Sequence, residues 1–356
     1  MTDSTVNDNV FYRLKSALGS IGIPTIIIAA FWVMVLILGH YVGMSVQVLL
    51  SDTIRRVGMN GVLVLAMVPA IQSGTGPNFA LPVGIVCGLF AVVCSIELNL
   101  TGMTWLLASV LLAVVLAVFA GYLYGKLLNA VKGSEMTIAT YTGFSVCALM
   151  SLLWLAIPFR NPKMGWLLGT GLRETIQLDA VGGAQILNNF LKFNVGAVVI
   201  PTGMYLIFGL LAVLVWLFFR SKTGIAISAG GLNPKFAQAA GLDIDSGRIW
   251  ANVLSTVLAA IGIIIYSQSF GYAQLYNGPL MMAFPAVAAV LVGGATASRA
   301  SVLNVVIGVI LLQGLFTTAM PVANEIFRGT DLSEIMRAII QNGIILYALT
   351  QVKRGA

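Results

Sequence analysis

Uncharged polar residues inside long apolar stretches are the residues of this sequence with the clearest chemical capacity. In a membrane, amide and hydroxyl groups can replace water around a polar solute at a cost far below that of a full charge. We therefore predict that they line a pathway for a small polar solute. The alternative is that they only join helix to helix by hydrogen bonds, a common use of these residue types. The candidates are Asn60, Gln72, Ser73, Thr75, Asn78, Thr140, Gln268 and Gln313.

The stretch from Gln72 to Asn78 is the foremost of these candidates. It places two glycines and Pro77 between its amide side chains. Glycine and proline interrupt a helix, and the backbone groups freed by the interruption can line a cavity, as they do in transporters. We predict a broken helix here that faces the solute.

Catalytic chemistry is not indicated by the same stretches. They contain no Ser-His or Cys-His arrangement, no carboxylate pair and no cluster with metal-ligand spacing. His40, the only histidine, lies at one end of the first apolar stretch, and the three cysteines lie inside apolar stretches, where small buried side chains are expected. We predict no catalytic residue and no metal site. An intramembrane enzyme is therefore a weaker hypothesis than a transporter or a channel.

The twelve acidic residues all lie outside the apolar stretches or at their edges. A carrier coupled to protons or sodium often keeps a carboxylate at membrane depth to hold the coupling ion. The sequence also lacks a G-x-x-x-x-G-K-[ST] phosphate loop, so this chain has no cradle of its own for a nucleotide. These observations favour a machine whose energy comes from another subunit, or a passive channel, with no cofactor on this chain.

Composition indicates which solvent surrounds the chain. Of the 356 residues, 59% are hydrophobic and only 9% are charged, whereas soluble domains carry roughly 25% charged residues. The apolar stretches are continuous, which indicates helices and not the alternating strands of a membrane β-barrel. The net charge of +7 is scattered over the ends of these stretches, so it indicates membrane topology and not nucleic-acid binding.

The apolar stretches predict an all-α polytopic bundle of about ten transmembrane helices in a single domain, 1–356. Two of the stretches, 58–72 and 279–292, are too short for a straight crossing and predict broken or re-entrant helices. With both termini in the cytoplasm, 159–194 becomes an external loop; Arg55 and Arg56 fit only on an interfacial turn, or the second span is misplaced. The predicted spans are 21–40, 58–72, 79–95, 103–123, 136–158, 195–219, 249–268, 279–292, 302–319 and 333–349.

The segment 223–246 is an internal loop with an architecture of its own. It is rich in alanine and glycine, and it predicts a turn, a short helix over about 234–240 and a second turn. Asn233 can cap that helix, and Pro234 suits its first position. This segment is either an ordinary connector or a docking helix for a cytoplasmic partner.

Residues 231–241, G-L-N-P-K-F-A-Q-A-A-G, resemble the cytoplasmic G-x-N-P-x-x-A-x-x-x-G segment of permeases in bacterial ABC importers of the ribose, monosaccharide and autoinducer-2 type. Residues 286–294, A-V-A-A-V-L-V-G-G, are similar to the family's I-A-A-x-x-x-G-G stretch. The chain departs from the family in 73–84, which lacks an aspartate, and at Phe284 and Pro285, where an acid usually precedes I-A-A. These departures leave the related nucleoside-importer permeases as an alternative, beside a stand-alone channel or secondary carrier.

The resemblance implies a permease subunit that translocates a monosaccharide or sugar-like solute across the bacterial inner membrane. It implies three kinds of partner: ATP-binding cassette ATPase subunits that use ATP, a second permease chain that is identical or paralogous, and a periplasmic substrate-binding protein. The segment 223–246 would then be the cytoplasmic coupling loop. The residues carried over to ATPase coupling are Gly231, Asn233, Pro234, Ala237, Ala240 and Gly241.

Overall fold

The computed structural model describes residues 22–166, 171–196 and 198–326, together with 339, 342 and 343. Apart from those last three residues, the tenth predicted span, 333–349, lies outside this part of the chain. The helices are α1 Ile23–Tyr41, α2 Val46–Leu65, α3 Met67–Gln72, α4 Leu81–Glu97, α5 Gly102–Ala130, α6 Glu135–Ala156, α7 Ile186–Asn189, α8 Thr202–Arg220, α9 Lys222–Leu232, α10 Pro234–Ala239, α11 Ile244–Phe270, α12 Gly278–Val292 and α13 Val302–Ile326. The strands are β1 Thr175–Gln177, β2 Phe193–Val195, β3 Val198–Ile200 and β4 Tyr272–Gln274.

The predicted all-α polytopic bundle is confirmed. Within the described residues, seven helical stretches are long and apolar enough to cross a membrane, and α2 and α3 together form one of them. The apolar helices α4 and α12 are shorter, with 17 and 15 residues. The short α12 agrees with the broken helix predicted at 279–292, and the predicted break at 72–78 is present, because residues 73–80 are not helical. The stretch 58–72 is not short, however, since α2 and α3 together extend from Val46 to Gln72.

Two predicted boundaries are wrong. The sixth span does not start at 195, because β2 and β3 pair there as an antiparallel hairpin and α8 begins only after Pro201. The second span does not start at 58 either, since α2 begins at Val46 and carries Arg55 and Arg56 within its length. The apolar stretch begins at 58, after the two arginines, but the helix begins at Val46 because charged residues do not end a helix.

Arg55 and Arg56 lie beside the first turn of α8. The Tyr205 hydroxyl donates a hydrogen bond to the carbonyl oxygen of Ile54 (2.7 Å), and the side chain of Met204 packs against Gly58. Both arginines therefore lie on a continuous helix, level with the end of a spanning helix and not on a turn. Their position is where a long basic side chain can reach the membrane surface.

Helix α11 lies at the centre of the bundle and packs against α2, α4 and α5. Glycines make this close packing possible. A Cβ added at Gly121 or at Gly125 of α5 would come within 2.9 Å of the Cα atoms of Val253 or Ile249 in α11. The G-x-x-x-G spacing of α5 thus serves helix contact, as small residues do in membrane bundles.

The two ends of the bundle differ. We call the end that carries α10 the inner side and the opposite end the outer side, following the predicted topology. On the outer side, residues 172–188 fold over the end of α11, and β1 pairs with β4 in antiparallel register, Ile176 opposite Ala273. The Tyr276 hydroxyl donates to the carbonyl oxygen of Leu172 (3.1 Å), and burial, with the carboxylate of Glu174 adding to it, raises the pKa of this phenol. The outer segment is therefore a packed cap on the helices.

Candidate functional site

A cavity of about 690 Å³ opens in the outer half of the bundle. Helices α2, α11, α12 and α13 form its walls, and residues 272–277 lie at its outer end. Two predicted pathway residues, Asn60 of α2 and Gln313 of α13, line it together. Its other hydrogen-bonding or charged side chains are Arg56, Glu174, Tyr266, Tyr272, Gln274, Asn277, Thr317 and Asn324.

The remaining lining of this outer cavity is mostly apolar, with Leu63, Val64 and Ala286 among its residues. Glu174 is held in place at the cavity, because one of its carboxylate oxygens accepts a hydrogen bond from the Asn277 side chain (3.1 Å). A concave, largely apolar surface with a few convergent polar groups is the usual form of a small-molecule site. The outer cavity can therefore hold a small polar solute.

Gln72 does not lie in this cavity. Its side-chain nitrogen donates to the carbonyl oxygen of Ala300 (2.6 Å), and its side-chain oxygen accepts from the hydroxyl of Ser228 (2.5 Å). Ala300 lies just before α13, and Ser228 lies in α9. The amide thus connects three elements on the inner side.

Ser73, Thr75 and Asn78 are buried next to Gln72 along the chain. The hydroxyls of Ser73 and Thr75 both donate to the carbonyl oxygen of Ala70 (2.8 and 2.9 Å). The Asn78 amide bridges two other helices: it donates to the hydroxyl of Ser255 in α11 (2.9 Å) and accepts from that of Tyr124 in α5 (3.0 Å).

These hydrogen bonds hold the broken segment after α3 against the core. The Ser255 hydroxyl in turn donates to the carbonyl oxygen of Ala66 (2.6 Å), at the junction between α2 and α3. The polar groups are thereby satisfied within the protein, as buried groups require.

The other two predicted pathway residues lie elsewhere. The Thr140 hydroxyl donates to the carbonyl oxygen of Met136 in its own helix (2.8 Å). Gln268 is fully buried at the outer end of α11, where its side-chain oxygen accepts from the backbone N–H of Leu187 in the outer segment (3.1 Å). The fold therefore brings Asn60 and Gln313 into one cavity and Gln72, Ser73, Thr75 and Asn78 into one inner segment, and it separates Thr140 and Gln268 from both.

The short helix predicted over about 234–240 is present as α10. The Asn233 side chain accepts a hydrogen bond from the backbone N–H of Phe236 (3.1 Å), and Pro234 occupies the first turn, as the sequence indicates. Gly241 has a φ of +78°, which few residues except glycine adopt, and it ends the turn that follows Ala240. Ala237 is fully buried, and its carbonyl oxygen accepts a hydrogen bond from the backbone N–H of Leu242 (3.0 Å).

Three residues at this end were not among the predicted site residues. Phe236 of α10 is 68% exposed, so the short helix presents an aromatic side chain to the surroundings. The sequence predicted the capped helix over about 234–240 that contains Phe236. Ser228 had no such signal, since nothing local shows that it bonds Gln72. Arg248 was visible only as one basic residue among others.

Two ion pairs fasten the turn between α5 and α6 to the start of α11. The guanidinium of Arg248 pairs with Glu135 at 2.5 Å, with side chains only 10% and 18% exposed. The ammonium of Lys132 pairs with Asp245, also at 2.5 Å, with side chains about half exposed. Because α11 begins directly after α10, this turn belongs to the same inner surface.

An inner cleft of about 540 Å³ lies between these elements. Gly74, Gly231, Pro234, Asp245 and Arg248 are among its lining residues. Within the described residues, no three His, Cys, Asp or Glu side chains are grouped as a metal site requires. The segment 223–246 and the broken segment after α3 therefore meet at this cleft, where Asp245 and Arg248 are already engaged in ion pairs.

Comparisons with known proteins agree with the family resemblance. Among curated proteins, the autoinducer 2 import system permease protein LsrC of Yersinia pestis (strain Pestoides F) and that of Yersinia pseudotuberculosis serotype O:3 (strain YPIII) are each 26% identical to this chain over 264 residues. Each match covers 70% of this chain and 65% of the relative's own length. No solved structure matches the chain. Residues 49–349 match the family model of the permease component of branched-chain amino acid transport systems, and the chain belongs to that family.

Proposed function

We propose that this chain is the transmembrane permease subunit of an ATP-driven ABC importer in the bacterial inner membrane, which carries a sugar or sugar-like solute. The outer cavity would receive the solute from a periplasmic binding protein. A second permease chain, identical or paralogous, would complete the translocation unit, and ATPase subunits would bind α10. Both termini would lie in the cytoplasm. The import role of the named relatives supports this proposal.

One observation carries the proposal: an outer cavity lined by both polar and apolar side chains and an exposed, capped inner helix lie at opposite ends of one packed bundle. Hydrogen-bonding side chains without a dominant charge suit a polyhydroxylated solute, because each can exchange a bond to water for a bond to a hydroxyl. The buried Ala237 and exposed Phe236 of α10 suit a helix that rests on its own subunit and offers its free face to a partner.

Reconstitution tests the proposal. The permease is placed in liposomes with a candidate ATPase and binding protein from the same organism, and ATP-dependent uptake of labelled ribose and other monosaccharides is measured. Uptake that needs both partners is expected. Uptake by the permease alone would contradict the importer assignment and favour a channel or secondary carrier. Extracellular labelling of a cysteine placed at position 238 would contradict the proposed orientation.

A zwitterionic amino acid is a second candidate solute, because the cavity has one basic and one acidic residue among its lining, Arg56 and Glu174. An ammonium and a carboxylate on one solute could each meet an opposite charge. Thermal-shift screening of the binding protein with sugars, nucleosides and branched-chain amino acids distinguishes the classes. Stabilisation by amino acids alone would replace the sugar assignment.

A further inference from the structure

The side chain of Gln72 lies where three inner elements meet. Its nitrogen is bonded to the carbonyl oxygen of Ala300 (2.6 Å) and its oxygen to the hydroxyl of Ser228 (2.5 Å). These partners are 228 and 156 residues away along the chain. One amide therefore joins the end of α3 to α9 and to the turn that precedes α13.

The backbone around Gln72 is in direct contact with the backbone of α9. A Cβ placed at Gly231 would overlap the carbonyl oxygen of Gln72, and one placed at Gly74 would come within 2.8 Å of the Cα of Gly231. Because both positions are glycine, α9 and the segment after α3 touch backbone to backbone. A movement of α9 would therefore displace the end of α3 directly.

The three joined elements lead to both ends of the molecule. Helix α9 continues into α10, the exposed inner helix. Helix α3 continues α2, which contributes Asn60 to the outer cavity, and the turn at Ala300 begins α13, which contributes Gln313. A movement of α10 that reaches Gln72 is thus passed at once to two walls of the cavity.

We propose that Gln72 is a positioning residue for coupling and not a residue that contacts the solute. Its amide holds α9, α3 and the turn before α13 in register, so that the motion of α10 moves both cavity helices together. This inference rests on the proposed importer function. It also replaces the prediction that Gln72 lines the solute pathway with a different role for the same residue.

The test compares transport and coupling in the reconstituted complex of permease, ATPase and binding protein. The variants are Gln72→Ala, Gln72→Glu and Ser228→Ala. Gln72→Glu replaces the donor to Ala300 by a carboxylate oxygen and keeps an acceptor for Ser228. Ser228→Ala removes the hydroxyl that bonds Gln72 and also the carbonyl oxygen of Gly224. Ser228→Thr keeps a hydroxyl and is the rescue control. We expect the amount of solute moved per ATP hydrolysed to fall by a factor of about 5 to 150 in Gln72→Ala, the typical range of coupling between two sites. The solute KM should stay unchanged.

A second readout does not depend on transport. Hydrogen exchange of the purified permease in nanodiscs should be faster over 295–301 in Gln72→Ala and Gln72→Glu, because the turn at Ala300 loses its bond. If the wild-type complex shows no ATP-dependent uptake, the importer proposal fails while this measurement still tests the junction. A raised KM with unchanged solute per ATP would show that Gln72 contacts the solute. That result, or unaltered exchange over 295–301, overturns the inference.

Discussion

The two ion pairs on the inner side offer a comparison of a buried and an exposed electrostatic contact. Arg248–Glu135 and Lys132–Asp245 join the same two elements at the same nitrogen–oxygen distance of 2.5 Å. The first pair has side chains 10% and 18% exposed, and the second 50% and 55%. Distance and location are matched, so the two pairs differ in burial and in their residue types.

The expected magnitudes follow from that difference. At 2.5 Å the gross Coulomb attraction is about 7 kcal/mol at an effective dielectric constant of 20 and about 2 kcal/mol in bulk water. Desolvation cancels much of the larger value, so we expect a net coupling of about 2–4 kcal/mol for Arg248–Glu135. Side-chain entropy and screening leave about 0.2–1 kcal/mol for Lys132–Asp245.

The assay is a pair of double-mutant cycles in detergent or nanodiscs. Arg248→Met, Glu135→Gln and the double variant form one cycle, and Lys132→Met, Asp245→Asn and their double variant form the other. Breaking the buried pair should lower the apparent melting temperature by roughly 3–8 °C, and breaking the exposed pair by less than about 2 °C. The double variant Arg248→Met/Glu135→Gln should recover part of its loss, because no charge is then left buried alone. Equal coupling energies in the two cycles, or a larger one for the exposed pair, would refute this reasoning.

Three further predictions concern packing, coupling and solute binding. Gly121→Val should destabilise the bundle by about 2–4 kcal/mol because its side chain would overlap α11, whereas Gly209→Val, with nothing within 4 Å of its Cβ position, should leave the melting temperature unchanged. Ala237→Glu should abolish ATP-driven uptake, since it puts a charge at the fully buried position of the otherwise exposed α10, while Ala237→Ser should retain it in the liposome assay. Gln313→Ala should raise the solute KM several-fold in uptake kinetics without changing the solute moved per ATP; an unchanged KM would remove Gln313 from the pathway.

The inner helix shows how far local sequence reasoning reaches. Its start, its cap at Asn233 and its end near Gly241 were all predicted, because each depends on residues within one helical turn. The outer loop was predicted only as a loop. Its strand β1 pairs with β4, about a hundred residues later, and that pairing depends on how the helices between them are arranged.

The positions of the predicted pathway residues likewise depended on tertiary contacts that the sequence does not show. Asn60 and Gln313 share one cavity, but Gln72 and Asn78 are engaged by protein partners, and nothing near them in the sequence distinguishes the two cases. An amide side chain has the same chemistry toward a solute and toward a carbonyl oxygen. Only its neighbours decide which it meets, so the pathway assignment of the broken segment stays a prediction that the Gln72 variants test.

The sequence by itself determined that the chain lies in a membrane, that it forms helices and that a short capped helix interrupts them on one side. Continuous apolar stretches and helix caps depend on residues close together in the sequence, so they can be recognised without knowing the tertiary structure. The tertiary structure alone decided that α2, α11, α12 and α13 enclose a cavity and that Ser228, Gln72 and Ala300 meet. These contacts join segments far apart along the chain, and the packing of whole helices against each other sets them.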